Sequence, residues 1–72
     1  MTLHERLIEL RLNHNLLQKD LAAAIGISLR AYQYYERAER EPAASVLIAL
    51  AKHYNVSLDY LVGRTDNPAI NR

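Results

Sequence analysis

The chain of 72 residues has no cysteine. Disulfide frameworks and thiolate metal sites are therefore excluded. Glycine and proline number two each, too few for a linker or a fibrous repeat. Neither sign of charge dominates: nine Lys+Arg against eight Asp+Glu leave +1 with histidine neutral. So small an excess does not point to nucleic acid by itself, and any such case rests on where the charges sit. No apolar run approaches the roughly 20 residues that span a bilayer, and the opening MTLHERL lacks a signal peptide's apolar stretch. The expected compartment is the cytoplasm. What is present is ordinary for a folded soluble chain, at 50% hydrophobic and 24% charged. The length fits one domain whose stability must come from efficient helix packing.

No stretch alternates with the period of a strand, so the expected class is all-α. Five short segments carry helical spacing. The first runs from Thr2 to Asn13, opened by a Thr2/Glu5 capping box. Leu3, Leu7 and Leu10 share its inner face, and Ile8 and Leu12 widen it. Arg11 falls within that apolar arc and needs a buried partner or a second surface. The second segment, Gln18 to Ile25, turns Leu21, Ala22 and Ile25 inward and stops at Gly26. The third opens at Ser28 and reaches Arg37. Tyr32 and Tyr35 face inward, joined by Ile27, while Arg30, Gln33, Tyr34 and Arg37 share the outer face at helical spacing. The fourth, Ala44 to Tyr54, turns Val46, Leu47, Leu50, Ala51 and Tyr54 inward. In the fifth, Ser57 caps, Leu58 and Leu61 turn inward and Gly63 stops the helix. Ser28, Ser45 and Ser57 read as caps rather than nucleophiles, because no histidine is placed to activate them. His4, His14 and His53 have no metal-ligand spacing. No enzyme constellation, metal site or cofactor site emerges, and no small-molecule ligand is indicated. Residues 1–63 form the expected domain, and residues 64–72 a tail expected to be frayed or partner-dependent.

The informative stretch is QKDLAAAIGISLRAYQYYE, from Gln18 to Glu36. Two short helices meet across a tight Gly26-Ile27-Ser28 turn, and Ala22 is small where they must approach. This is helix-turn-helix spacing, whose second helix can enter the roughly 12 Å major groove. Over Leu7 to Gly63 the chain resembles the Xre/Cro/lambda-repressor-like helix-turn-helix DNA-binding family. The resemblance rests on Arg11, Gln18, Leu21-Ala22, the glycine turn, Tyr35-Glu36-Arg37, Glu41-Pro42 and the closing VSLDYL from Val56 to Leu61.

That resemblance implies a compact five-helix domain that binds double-stranded DNA as a transcriptional regulator, a repressor on a pseudo-palindromic operator. It implies that Gln18 anchors to phosphate and braces the recognition helix. Ser28, Leu29, Arg30, Gln33 and Tyr34 match positions that face DNA. Arg37 and Arg40 match a phosphate-contacting loop, and Arg11 and Glu36 match an internal ion pair. The chemistry agrees with these roles. Arg30 can take guanine O6 and N7, Gln33 can take adenine N6 and N7, and Leu29 can meet a thymine methyl. Lys19, Arg37 and Arg40 can neutralise phosphates. One helix reads few base pairs, so a dimer is expected, weakly held through the fifth helix and the tail, with Tyr60, Val62 and Arg64 as candidates.

The chain departs from the family pattern in several places. Leu17 stands where Ser or Thr usually caps the second helix, a loss or a shift of the cap to Asn15. Tyr32 replaces a smaller branched residue, and Ala38 stands where glycine commonly turns the chain. Glu39 and Glu41 place negative charge beside the expected phosphate contacts. The alternative function is a protein-interaction module, such as an antitoxin or phage adaptor, that binds its partner through Ile8, Leu12 or the tail. The competing expectation for Ile8 and Leu12 is a broad core face, covered by the tail with Ile70.

Overall fold

In a computed structural model, which describes residues 1–70, the chain forms helices α1 (Leu3–Asn13), α2 (Gln18–Ile25), α3 (Leu29–Glu36), α4 (Ala44–Tyr54) and α5 (Leu58–Leu61). The described residues contain no strand. Capping chemistry sets three of the helix starts. Thr2 and Glu5 form a complete capping box on α1. Ser28 Oγ accepts from the Ala31 N–H at 3.0 Å, and Ser57 Oγ from the Tyr60 N–H at 3.0 Å. Ser45 does not cap: the chain becomes helical at Ala44, and Ala43 takes the cap position with no side-chain bond. The cap of α2 is not shifted to Asn15 either. Leu17 occupies it without a side-chain hydrogen bond.

Each helix is followed by one left-handed residue: Asn15 (φ 55°), Gly26 (79°), Ala38 (58°), Asn55 (55°) and Gly63 (84°). Asparagine and glycine are the usual occupants of such stops, which explains how five sharp reversals need only two glycines. Gly63 has a second reason to lack a side chain, since a Cβ there would overlap the Met1 carbonyl. Ala38 is the strained case. Its N–H donates to the Tyr35 carbonyl at 3.3 Å and the next N–H, of Glu39, to the Tyr34 carbonyl at 2.9 Å. These two bonds reverse the chain after α3 and hold alanine in a conformation that costs about 1–2 kcal/mol. Ala38→Gly is therefore expected to stabilise the fold by about 0.5–1 kcal/mol, after the extra freedom of the unfolded chain is subtracted. A lower thermal midpoint in the glycine variant would show that the strain is absent.

The core is built from Leu7, Leu10, Leu21, Ala22, Tyr32, Leu50, Ala51, Tyr54, Val56 and Leu61. Leu3, Ile25, Ile27, Tyr35, Val46 and Leu47 pack around it half-buried. Two expected inward residues differ. Leu58 stays 45% exposed, because a helix of one turn turns only Leu61 into the core. Leu12 is 58% exposed, while Ile8 is half-buried, so the core face of α1 is narrower than its apolar arc. Ile70 does not cover them. It borders a groove with Ile48, Val56 and Leu58 on the α4–α5 side.

The tail is folded back as far as Pro68, whose carbonyl accepts from the Ser57 N–H at 3.1 Å. Positions 71 and 72 of that tail lie outside the described residues. The body holds it through Arg6, whose side chain is only 4% exposed. Its Nε donates to the Tyr60 carbonyl at 3.0 Å, and Nη2 to the Thr65 carbonyl and Asp66 Oδ1, both at 3.3 Å.

Candidate nucleic-acid interface

Helix α2 packs against α3 across the Gly26 turn, with Ala22 buried at their approach. A polar chain fixes how they cross. Arg11 grips Glu36 with both arms of its fork, Nε to Oε2 at 2.6 Å and Nη2 to Oε1 at 3.1 Å. Its third arm, Nη1, donates to the Leu16 carbonyl at 3.1 Å. Glu36 also accepts from Gln18 Nε2 at 3.1 Å, and Gln18 Oε1 accepts from Gln33 Nε2 at 3.3 Å. Every amide in the chain has only one orientation available. A carboxylate can only accept, so Gln18 must turn its NH₂ toward Glu36 and its oxygen toward Gln33. Gln33 must then spend one N–H on Gln18. It keeps its other N–H and its oxygen, the donor and acceptor that adenine N7 and N6 require.

The pair is nearly dry, with side chains 15% exposed at Arg11 and 5% at Glu36. Burial by itself would push the Glu36 carboxyl up. The hydrogen bond from Arg11, the adjacent Tyr32 hydroxyl, the hydrogen bond from Gln18 and the Arg11 charge together outweigh it and hold the group below its ordinary value. Burial, and then the directly adjacent Glu36 carboxylate, push the Tyr32 hydroxyl up, while burial and the more distant Glu36 charge push that of Tyr54 up to about 12. Both hydroxyls are buried without a hydrogen-bond partner. That of Tyr54 belongs to a ring packed on His14 at 5.0 Å and His53 at 5.2 Å.

Outside this frame, Ser28, Leu29, Arg30, Arg37 and Arg40 are exposed, while Gln33 and Tyr34 are half-buried. Leu29 keeps 40% of its surface in solvent. Lys19 is exposed in the first turn of α2, where the uncapped N-terminus leaves backbone N–H groups open to an anion. Arg30 Nε donates to the Tyr34 hydroxyl at 2.9 Å. Three guanidinium groups surround the Tyr34 ring, at 5.7 Å for Arg30, 5.5 Å for Arg37 and 4.8 Å for Arg40. Glu39 offsets part of this charge by pairing with Arg37 at 3.3 Å. Among the described residues no group of His, Cys, Asp and Glu is arranged to hold a metal. No described helix is long and apolar enough to cross a membrane.

Residues 7–61 match the helix-turn-helix family. The uncharacterized HTH-type transcriptional regulator YobD of Bacillus subtilis is 42% identical over 64 residues, 89% of this chain and 57% of that protein. The HTH-type transcriptional regulator ImmR of the same organism is 38% identical over 92% of this chain and 52% of its own length. The cryptic phage CTXphi transcriptional repressor RstR of Vibrio cholerae is 39% identical over 89% and 57%. The chain thus spans little more than half the length of these relatives. Among solved structures, the P22 c2 repressor in complex with synthetic operator 9T superposes with a TM-score of 0.81 at 34% identity, over 86% of this chain and 94% of that one. A transcriptional regulator from Listeria innocua superposes at 0.82 with 32% identity, over 86% and 58%. Sequence and fold agree, and the chain belongs to the helix-turn-helix family of the Xre/lambda-repressor type.

Proposed function

We propose that the chain is the sequence-specific, double-stranded DNA-binding part of a transcriptional repressor that takes a pseudo-palindromic operator as a dimer. The observation that carries this reading is the polar chain from Arg11 to Gln33. It fixes α3 against α2 while leaving a base-reading donor and acceptor on Gln33. Arg30 is held by one bond at Nε, so both terminal nitrogens remain for guanine. Leu29 is exposed for a thymine methyl. Lys19, Arg37, Arg40 and the open amides of α2 serve phosphates. Residues 1–63 supply the DNA-binding unit, with the cytoplasm as its place of action.

Selection of bound duplexes from a random library tests the reading, because it returns motif, symmetry and spacing together. The expected result is two half-sites about 10–10.5 bp apart or a multiple of that, with affinity falling steeply as salt rises. Salt-independent or absent binding would instead favour a protein partner, received through the exposed Leu12. With a motif in hand, Arg30→Ala or Gln33→Ala is expected to relax one half-site position, at a cost of about 1–3 kcal/mol. Arg40→Ala should weaken all sequences about equally. Equal losses on selected and random DNA for both kinds of variant would count against these assignments.

The dimer is assigned to α5 and its surroundings. The Tyr60 ring is occupied by the Arg6 guanidinium at 3.7 Å, and Arg64 approaches Asp59 at 3.8 Å. Exposed apolar surface adjoins them at Ile48, Leu58 and Ile70, around a groove of about 400 Å³. Lys52 and Asp59 both border that groove, so a two-fold axis can set each against its opposite in a second copy. Leu58→Asp is expected to lose cooperative binding to the full operator and to keep affinity for a half-site. Unchanged cooperativity would move the interface elsewhere.

A further inference from the structure

We infer that Tyr34 is a positioning residue: it acts on DNA through the guanidinium groups of Arg30, Arg37 and Arg40, which its ring and hydroxyl gather onto one side of α3. The inference rests on the DNA-binding reading above and gives Tyr34, one of the positions expected to face DNA, a role through its neighbours. Its geometry comes from two sources. Helical spacing brings Arg30 and Arg37 to Tyr34 from the turns before and after it. Arg40 arrives by another route, the reversal at left-handed Ala38 closed by the Glu39 N–H on the Tyr34 carbonyl. The ring then has guanidinium carbons at 5.7, 5.5 and 4.8 Å.

Three like charges do not gather without a counter-charge, and among the described residues the only carboxylate paired within this group is Glu39, on Arg37. The negative face of the ring supplies the remaining attraction. The two parts of the side chain do different work. The hydroxyl accepts from Arg30 Nε at 2.9 Å and orients the base-reading fork. The ring serves the two phosphate arginines as well. Holding the three long side chains before DNA arrives lowers the ordering cost of binding.

The test compares Tyr34→Phe and Tyr34→Leu with the wild-type chain. In free protein, NMR relaxation of the arginine Nε–H groups should show Arg30 loosened by Phe with Arg37 and Arg40 unchanged, and all three loosened by Leu. On selected duplexes, Phe should lower discrimination at the Arg30 position about tenfold with random-sequence affinity kept. Leu should also cost the phosphate contacts of Arg37 and Arg40 and so make the log–log salt slope shallower by about 2. Far-UV dichroism checks that both variants fold. If Leu proves unfolded, Phe still decides through Arg30. An Arg30 Nε–H as rigid in Phe as in wild type overturns the inference, as does a salt slope unchanged in a folded Leu variant. Failure of the wild-type chain to bind duplex at low salt would sink the DNA reading instead, and it is recognised separately because the free-protein measurement needs no DNA.

Discussion

Arg11→Ala is expected to destabilise the fold by about 3 kcal/mol, the lower end of the range for breaking a buried pair, since Arg11 keeps 15% of its side chain exposed. For a chain of this size that is a fall of at least about 12 °C in thermal midpoint. The reason lies less in the lost attraction than in what remains. Glu36, with 5% of its side chain exposed, would keep its charge with only the neutral Gln18 amide and the adjacent Tyr32 hydroxyl to support it, and the Leu16 carbonyl would lose its partner. The pH dependence sharpens the test. In the wild-type chain the folded-state carboxyl of Glu36 lies below its ordinary 4.5. Its contribution is therefore complete above pH 4.5 and is lost as pH falls through the lowered value. Without Arg11 the uncompensated burial acts in the opposite direction. The deficit of the variant should be largest near neutrality and shrink toward pH 4, where Glu36 can be protonated. Arg64→Ala is the reference, since its pair with Asp59 is long and open to solvent. A midpoint shift no larger than that reference would mean that the pair is not buried in solution. The functional consequence follows from the same chain of bonds. With Glu36 ungripped, Gln18 loses the group that orients its amide, and Gln33 loses its reason to present one fixed donor and acceptor. Specific affinity should fall by more than affinity for random duplex.

The helix spacing and the resemblance made α1 to α4 legible, because apolar residues recur at helical intervals in each and a glycine or a serine marks several of the ends. Arg11 was legible for a physical reason: a guanidinium in an apolar arc needs a partner, and Glu36 was the acid that the pattern offered. Arg6 carried no such signal. Flanked by Glu5 and Glu9, it has the spacing of a solvated surface pair, and its bond with Glu9 is indeed formed at 3.0 Å. Its deciding acceptors are carbonyls 54 and 59 residues away, which no local pattern encodes. Leu58 was misplaced because one helical turn is too short for periodicity to define a face. The stops at Asn15 and Asn55 were missed because asparagine marks a left-handed turn less distinctly than glycine does. The crowding of arginines around Tyr34 was hidden for a related reason: Arg40 reaches the ring only through a conformation that alanine seldom adopts.

Arg6→Ala is expected to cost about 2 kcal/mol and to release the segment after α5. The guanidinium closes three separate parts of the chain on one point. It takes the Tyr60 carbonyl, the Thr65 carbonyl and Glu9, and lies over the Tyr60 ring at 3.7 Å. The Asp66 contact adds little, since that carboxylate is 99% exposed and solvent screens it. The cost therefore comes from the two carbonyls, the ring and the buried stem, and Asp66→Ala should leave the midpoint almost unmoved. Arg6→Lys should not restore stability, because an ammonium is a point donor and cannot span acceptors that a planar fork meets at once. Amide exchange separates tail release from global destabilisation. The Ser57 N–H, bonded to the Pro68 carbonyl, should lose protection in Arg6→Ala by more than Leu50, deep in α4, does. If both amides lose protection equally, Arg6 stabilises the whole body and does not act as a clasp. The distinction bears on assembly. Ile70 borders the groove assigned to the second copy, and the clasp fixes the chain leading to it. Loss of Arg6 should accordingly lower cooperative operator binding while half-site affinity is retained at temperatures where the variant stays folded.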